Sequence, residues 1–261
     1  MSNYVLGTAL AIFGAAACRG PVAQELTEAG LSSSASAAAN PGLRVMQGAK
    51  EAPESGPIRV EALDPNLSPP TFVMRGAPRG PARIVFLHGM CGHGLGYAQA
   101  FQFSAAKKGT LIAPQGDVTC GGVWSKWSGD LAALDARITE TFRAIGVPEP
   151  AGDVVIIGMS QGATRAIELA RRFPERYTRL VAMAGPTALK RGELPKLRGA
   201  VFMAGERDRR DLMLTSQRAL SASGVPATFI LIPGATHGAM GPTPEATMNS
   251  ALEWLWQNSR S

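Results

Sequence analysis

Histidine is scarce in this chain: His88, His93 and His237 are the only three among 261 residues. They lie far apart, no H-E-x-x-H occurs, and the three cysteines (Cys18, Cys91 and Cys120) form no closely spaced pair. A catalytic zinc draws several such ligands together, so no metal is expected. No G-x-x-x-x-G-K-[ST] is present, which argues against nucleotide hydrolysis on a phosphate loop, and no organic cofactor is implied. Charge is sparse at 18%, and aromatic residues make up only 6%. The net charge of +6 comes from scattered basic residues such as Lys107-Lys108, Arg171-Arg172 and Arg209-Arg210. They are not interleaved with aromatics, so a basic solvated surface is expected and not a nucleic-acid partner. There is no internal repeat.

The stretch Tyr4 to Ala17 is apolar but shorter than the ~20 residues of a membrane span. It ends in Ala15-Ala16-Ala17, small residues of the kind found before a signal-peptide cleavage site, and Cys18 follows. Residues 1–17 are therefore expected to be an export signal. Small residues directly before a cysteine also resemble a bacterial lipoprotein signal, in which Cys18 carries lipid. Two departures are the absence of Lys or Arg in Met1 to Asn3, and Ala15 where leucine is favoured. The expectation is an exported protein, either a cell-envelope lipoprotein or secreted. The alternative is an apolar N-terminus on a cytosolic protein. Residues 18–57 are rich in Ala, Ser, Gly and Pro without apolar periodicity, as in a tether. Residues 58–261 form the folded domain.

Within that domain, short apolar runs alternate with helical patterns. Strands are expected at Ile58–Leu63 and Thr71–Arg75 as a hairpin, then at 83–87, 110–114, 153–157, 180–184, 200–204 and 228–232. Helices are expected at 97–108, 130–145 (with Asp130 as cap and Gly146 as stop), 161–173, 211–223 and 244–258. This alternation predicts an α/β fold, a mostly parallel doubly wound sheet with helices on both faces. In such sheets reactive groups gather at the carboxyl ends of the strands.

One such end reads Gly158-Met159-Ser160-Gln161-Gly162. It matches G-x-S-x-G between a β-branched run and a helical segment, the context that holds a serine in a strained turn with its hydroxyl exposed. Side chains at Gly158 or Gly162 would collide where the helix crosses back over the strand. A serine needs a base, and His237 is the one histidine that follows Ser160, in a loop after Ile232. Asp208, in the loop leaving the strand at 200–204, is the expected carboxylate, with Glu206 and Asp211 as competitors. Asp211 is expected to cap the next helix, and Glu206 to face solvent or an arginine. The amide donors for an oxyanion are expected at Gln161 and at Met90, with Cys91 as the second choice for the latter. His88 is expected to hold that loop by hydrogen bonds.

The order Ser160, Asp208, His237, with the serine elbow and His88-Gly89 after a strand, resembles the α/β-hydrolase fold family. The resemblance runs from about Arg83 to Trp256. Ser160-Gln161 with His88-Gly89-Met90 is most similar to its carboxylesterase, dienelactone-hydrolase and polyester-depolymerase-like branches. It implies a serine hydrolase cleaving a carboxylic ester through an acyl-enzyme. A peptidase or amidase on the same triad, and a non-catalytic binding module, are the alternatives. The interval Gly185 to Gly199 is about fifteen residues, too short for a helical lid, so no large cap domain and an open site are expected. The substrate is then a small-molecule or polymeric ester. Trp124 and Trp127 either wall the cleft or pack their loop onto the domain, and His93 faces substrate or solvent. Cys91 and Cys120 lie in loops at the same sheet edge, so they are either a disulfide or two free thiols.

Overall fold

The computed structural model describes residues 60–63, 69–76, 82–147 and 153–260. The leader, Cys18, the tether and the first two residues of the expected hairpin (Ile58 and Arg59) lie outside them. Every strand from residue 82 onward but two feeds one sheet, because their residues are apolar on both faces and must be covered on both. The strands are β1 (Val60–Leu63), β2 (Thr71–Met74), β3 (Ala82–Leu87), β4 (Gly109–Pro114), β5 (Val118–Gly121), β6 (Trp124–Lys126), β7 (Val154–Met159), β8 (Arg179–Met183), β9 (Gly199–Gly205) and β10 (Ala227–Ile232). Eight of them pair in the order β1-β2-β4-β3-β7-β8-β9-β10. The first two pairings of that order, β1 with β2 and β2 with β4, are antiparallel, and the rest are parallel. The alternation within each strand splits the core in two. Val85, Leu87 and Ile156 pack on one side, and Ile84, Phe86, Val155 and Ile157 on the other.

The helices are α1 (Gly94–Ala98), α2 (Gln102–Ala106), α3 (Leu131–Ala144), α4 (Gln161–Arg172), α5 (Asp211–Ser221) and α6 (Pro244–Asn258). The first face of the sheet takes buried side chains of α3, α4 and α5, and the second takes those of α1, α2 and α6. As expected, Asp130 caps α3, accepting from Ala133 N at 3.0 Å, and Gly146 takes a positive φ of 74° just past its end.

Two segments depart from the sequence expectation. The single helix expected at 97–108 is instead α1, a 3₁₀ turn at Gln99–Phe101, and α2. Phe101 leaves helical geometry (φ −138°, ψ 23°) and sits fully buried beneath Phe86. The amides freed by the break donate to a carboxylate from α6: Phe103 N and Ser104 N each lie 2.8 Å from an oxygen of Glu245. Between β4 and α3, where a loop was expected, β5 and β6 form a separate antiparallel hairpin. No cap domain interrupts the described residues: the segment from β8 to β9 is a set of turns. No helix among the described residues is long and apolar enough to cross a membrane.

Candidate active site

The chain runs from β3 to β4 in one direction and then returns to β7 on the other side of β3. Loops leaving β3 and β7 therefore diverge and open a crevice at their carboxyl ends. Ser160 follows β7 at that point. Its backbone is strained (φ 52°, ψ −116°), a conformation that costs about 1–3 kcal/mol and needs support from its surroundings. Support comes from both sides: Ser160 N donates to Met183 O of β8 at 2.8 Å, and Ser160 O accepts from Ala163 N at 3.0 Å. The flanking glycines are required sterically. A Cβ on Gly158 would fall 2.3 Å from Gly162 O, and one on Gly162 would fall 2.0 Å from Leu87 O.

Three side chains from three strand ends meet here. Ser160 Oγ lies 3.0 Å from His237 Nε2, and His237 Nδ1 lies 3.0 Å from Asp208 Oδ2. The Asp208 side chain is only 8% exposed whereas His237 is 56% exposed, so the carboxylate is sheltered and the imidazole edge is open. The two loops are pressed together by backbone contacts. Arg207 N donates to Ala235 O at 2.9 Å, and a Cβ on Gly205 would meet that same oxygen at 2.3 Å. Asp208 Oδ1 also accepts from Arg209 N, which fixes the carboxylate plane. The competitors are employed elsewhere. Glu206 accepts from Gly234 N at 2.8 Å and so anchors the His237 loop, a role not expected for it. Asp211 is the first residue of α5 and not its cap; that position is Arg210.

The loop after β3 lies against the serine: a Cβ on Gly89 would be 3.4 Å from Ser160 Cβ. Met90 N donates to no acceptor among the described residues. Gln161 is the first residue of α4, where amides have no partner within the helix. Beneath this loop His88 is fully buried. Its Nδ1–H donates to Gly89 O at 2.7 Å, and its Nε2 accepts from Gly116 N at 2.9 Å. Burial, which penalises the charged ring, pushes its pKa down to about 4 against the pull of the Gly89 carbonyl. His88 is thus a neutral strut and not a base.

Trp127 is a correction to the pocket expectation. It is 4% exposed, its indole N–H donates to His88 O at 2.8 Å, and its ring lies 4.8 Å from the imidazole. It packs the loop onto the domain. Trp124 is 52% exposed and His93 is partly exposed, with centroids 6.2 Å apart. His93 also caps α1 through Gly96 N. Cys91 and Cys120 are joined as a disulfide across 29 positions, tying the Met90 loop to the β5–β6 hairpin.

Gln115, not singled out from the sequence, organises the same region. Its Oε1 accepts from Gly94 N, and its Nε2 lies within 3.0 Å of Gly92 O, Val123 O and Ser125 Oγ. A Gln-Gly pair directly after a strand is the only local signal, and it is weak. Among the described residues, no group of three or more metal-ligating side chains is close enough to hold an ion.

No protein-family model matches this sequence, and a search of curated proteins finds no relative. Solved structures do match. A "predicted CIB-like hydrolase" from Thermoplasma acidophilum shares 21% identity over 77% of this chain and 99% of its own, with a TM-score of 0.57. A structure of arylesterase shares 14% over 79% of this chain and 87% of its own, also at 0.57. FphF, a fluorophosphonate-binding serine hydrolase of Staphylococcus aureus, shares 14% over 78% of this chain and 100% of its own, at 0.55. Identities this low speak for architecture, and with the sheet order and serine turn described above they establish that this chain has the α/β-hydrolase fold.

Proposed function

We propose that the protein is a serine hydrolase that cleaves carboxylic esters through an acyl-enzyme. The observation that carries this reading is the hydrogen-bond chain from Ser160 Oγ through His237 to Asp208, 3.0 Å at each step, built on a strained turn. Ser160 Oγ attacks the ester carbonyl as His237 Nε2 takes its proton. Asp208 holds the Nδ1–H tautomer and stabilises the imidazolium that forms. The oxyanion is received by the amides of Met90 and Gln161, neither of which is committed to another acceptor. His237 then returns the proton to the leaving alcohol, and water releases the acid by the reverse sequence. A site with no cap domain among the described residues supports bulky or polymeric substrates as well as small ones. The arylesterase and the fluorophosphonate-binding hydrolase among the structural neighbours point to the same chemistry.

The test is labelling with a fluorophosphonate probe alongside p-nitrophenyl acetate turnover, in wild type and Ser160→Ala. Labelling and turnover confined to wild type is the expected result. Folded wild type that neither labels nor turns over the ester would overturn the reading in favour of a binding module. An anilide panel run in parallel separates esterase from amidase.

Residues 1–17 are part of the same proposal as an export signal, and Cys18 as a lipid anchor. Detergent-phase partitioning of the full chain that is lost in Cys18→Ser is the expected outcome. Equal partitioning of the two would leave a secreted or cytosolic protein.

A further inference from the structure

Beyond the Met90 loop, away from Ser160, the surface carries a groove of about 600 Å³. Its walls include Phe72 from β2, His93 from the start of α1, and Val123 and Trp124 from the β5–β6 hairpin. The three rings form a row, Phe72 to His93 at 5.2 Å and His93 to Trp124 at 6.2 Å between centroids. Val123 is 63% and Trp124 52% exposed, and Met90, in the loop between Gly89 and His93, is 63% exposed. Exposed apolar side chains grouped contiguously, unlike ones scattered singly, are a feature of ligand-binding grooves. We propose that this groove is a subsite for an apolar arm of the ester substrate. The proposal rests on the reading of Ser160 as the nucleophile.

Three observations support it. First, a short stretch of chain links the groove to the serine. A Cβ on Gly89 would lie 3.4 Å from Ser160 Cβ, Gly92 exchanges backbone hydrogen bonds with Ser125, and Trp124 precedes Ser125. Second, the groove is preformed. The Cys91–Cys120 bridge clamps one side of the hairpin, and the Gln115 side chain holds Gly92, Val123 and Ser125 from below. Walls fixed before binding lose little entropy when a ligand enters. Third, Phe72, Val123 and Trp124 give its mixed wall an apolar stretch. Asp117 is the one carboxylate on its wall, and it is turned to Ser128 N and Oγ. Partial burial lowers the His93 pKa, which keeps that ring neutral near neutral pH.

Geometry also sets the reach. Ser160 ends β7 and the groove lies at the end of β4, two strands away. Two strand spacings are about 10 Å, so an acetyl group cannot reach the groove whereas an extended octanoyl or octyl chain can.

The experiment compares two ester series. One varies the acyl group, p-nitrophenyl acetate against p-nitrophenyl octanoate. The other varies the alcohol, ethyl acetate against octyl acetate, followed by proton release. Wild type is expected to favour the long member in one series through a lower KM. In Trp124→Ala the long-to-short ratio of kcat/KM in that series should fall about tenfold, carried by KM, because one aromatic contact is lost. Trp124→Phe should recover most of the ratio, and Val123→Asp should lower it independently. Retained turnover with unchanged ratios in both series, for Trp124→Ala and Val123→Asp alike, would overturn the subsite alone. Absence of wild-type turnover on all four esters would overturn the ester reading and the subsite with it.

Discussion

Acidification should loosen this protein through His88 before it reaches any carboxylate. The ring is fully buried, and both nitrogens are committed to backbone partners in the neutral form. Protonating Nε2 would set an N–H against the N–H of Gly116. Its pKa accordingly falls from the ordinary 6.5 to about 4 in the folded state. The unfolded chain therefore binds the proton first as pH drops. Between about pH 6.5 and pH 4 it holds more protons than the native state, so stability falls with falling pH across that window. Above it His88 contributes no pH dependence. The depressed pKa corresponds to about 3 kcal/mol, at about 1.4 kcal/mol per pH unit. The assay is urea unfolding at a series of pH values for wild type and His88→Gln, with the His88 ring titrated by NMR. Wild type should lose about 3 kcal/mol more than the variant between about pH 7 and pH 4. A stability gap between the two that does not change with pH, or a ring that titrates near its ordinary value, would refute the reasoning.

Other parts of the structure yield separate expectations. Asp208→Asn should lower kcat by about 10⁴ with little change in KM, because the tautomer of His237 is no longer held; a loss below about tenfold would reassign the carboxylate. Reducing the Cys91–Cys120 bridge, which closes 29 positions of chain, should cost about 3–4 kcal/mol of stability, read as a lower Tm in dithiothreitol. An unchanged Tm would show that the bridge constrains nothing. Glu245→Ala should cost about 1–2 kcal/mol in chemical unfolding, since it removes the acceptors for Phe103 N and Ser104 N at the start of α2. Full stability of that variant would mean water replaces the carboxylate without loss.

Local patterning went a long way. The β-branched run before Gly158, the paired glycines and the helical run after Gln161 encode their turn within a few residues, and steric exclusion at 2.0–2.3 Å is the reason. Strand runs and caps such as Asp130 are equally local, so β3, β4, β7 to β10 and four of the helices were legible to within a few residues. The partners of Ser160 were legible for a different reason. Only one histidine follows it, and Asp208 and His237 each sit in a short loop after an apolar run.

What escaped was decided by contacts between distant segments. The break at Phe101 answers to Glu245, some 141 positions away from the amides it caps, and no periodicity in 97–108 reports it. Trp127 is buried because the His88 carbonyl, 39 positions earlier, accepts its indole proton, while Trp124, three residues before it, stays exposed. Gln115 became the hub of the Met90 loop only when β4 placed its amide among Gly92, Gly94, Val123 and Ser125. The residue types, their order along the chain and the strained serine turn were thus set by sequence through short-range sterics and periodicity. The aromatic groove was decided by the disulfide and Gln115 contacts that hold the β5–β6 hairpin to the Met90 loop, and the closing of Ser160, His237 and Asp208 to hydrogen-bond distance by the sheet order that brings those strand ends together.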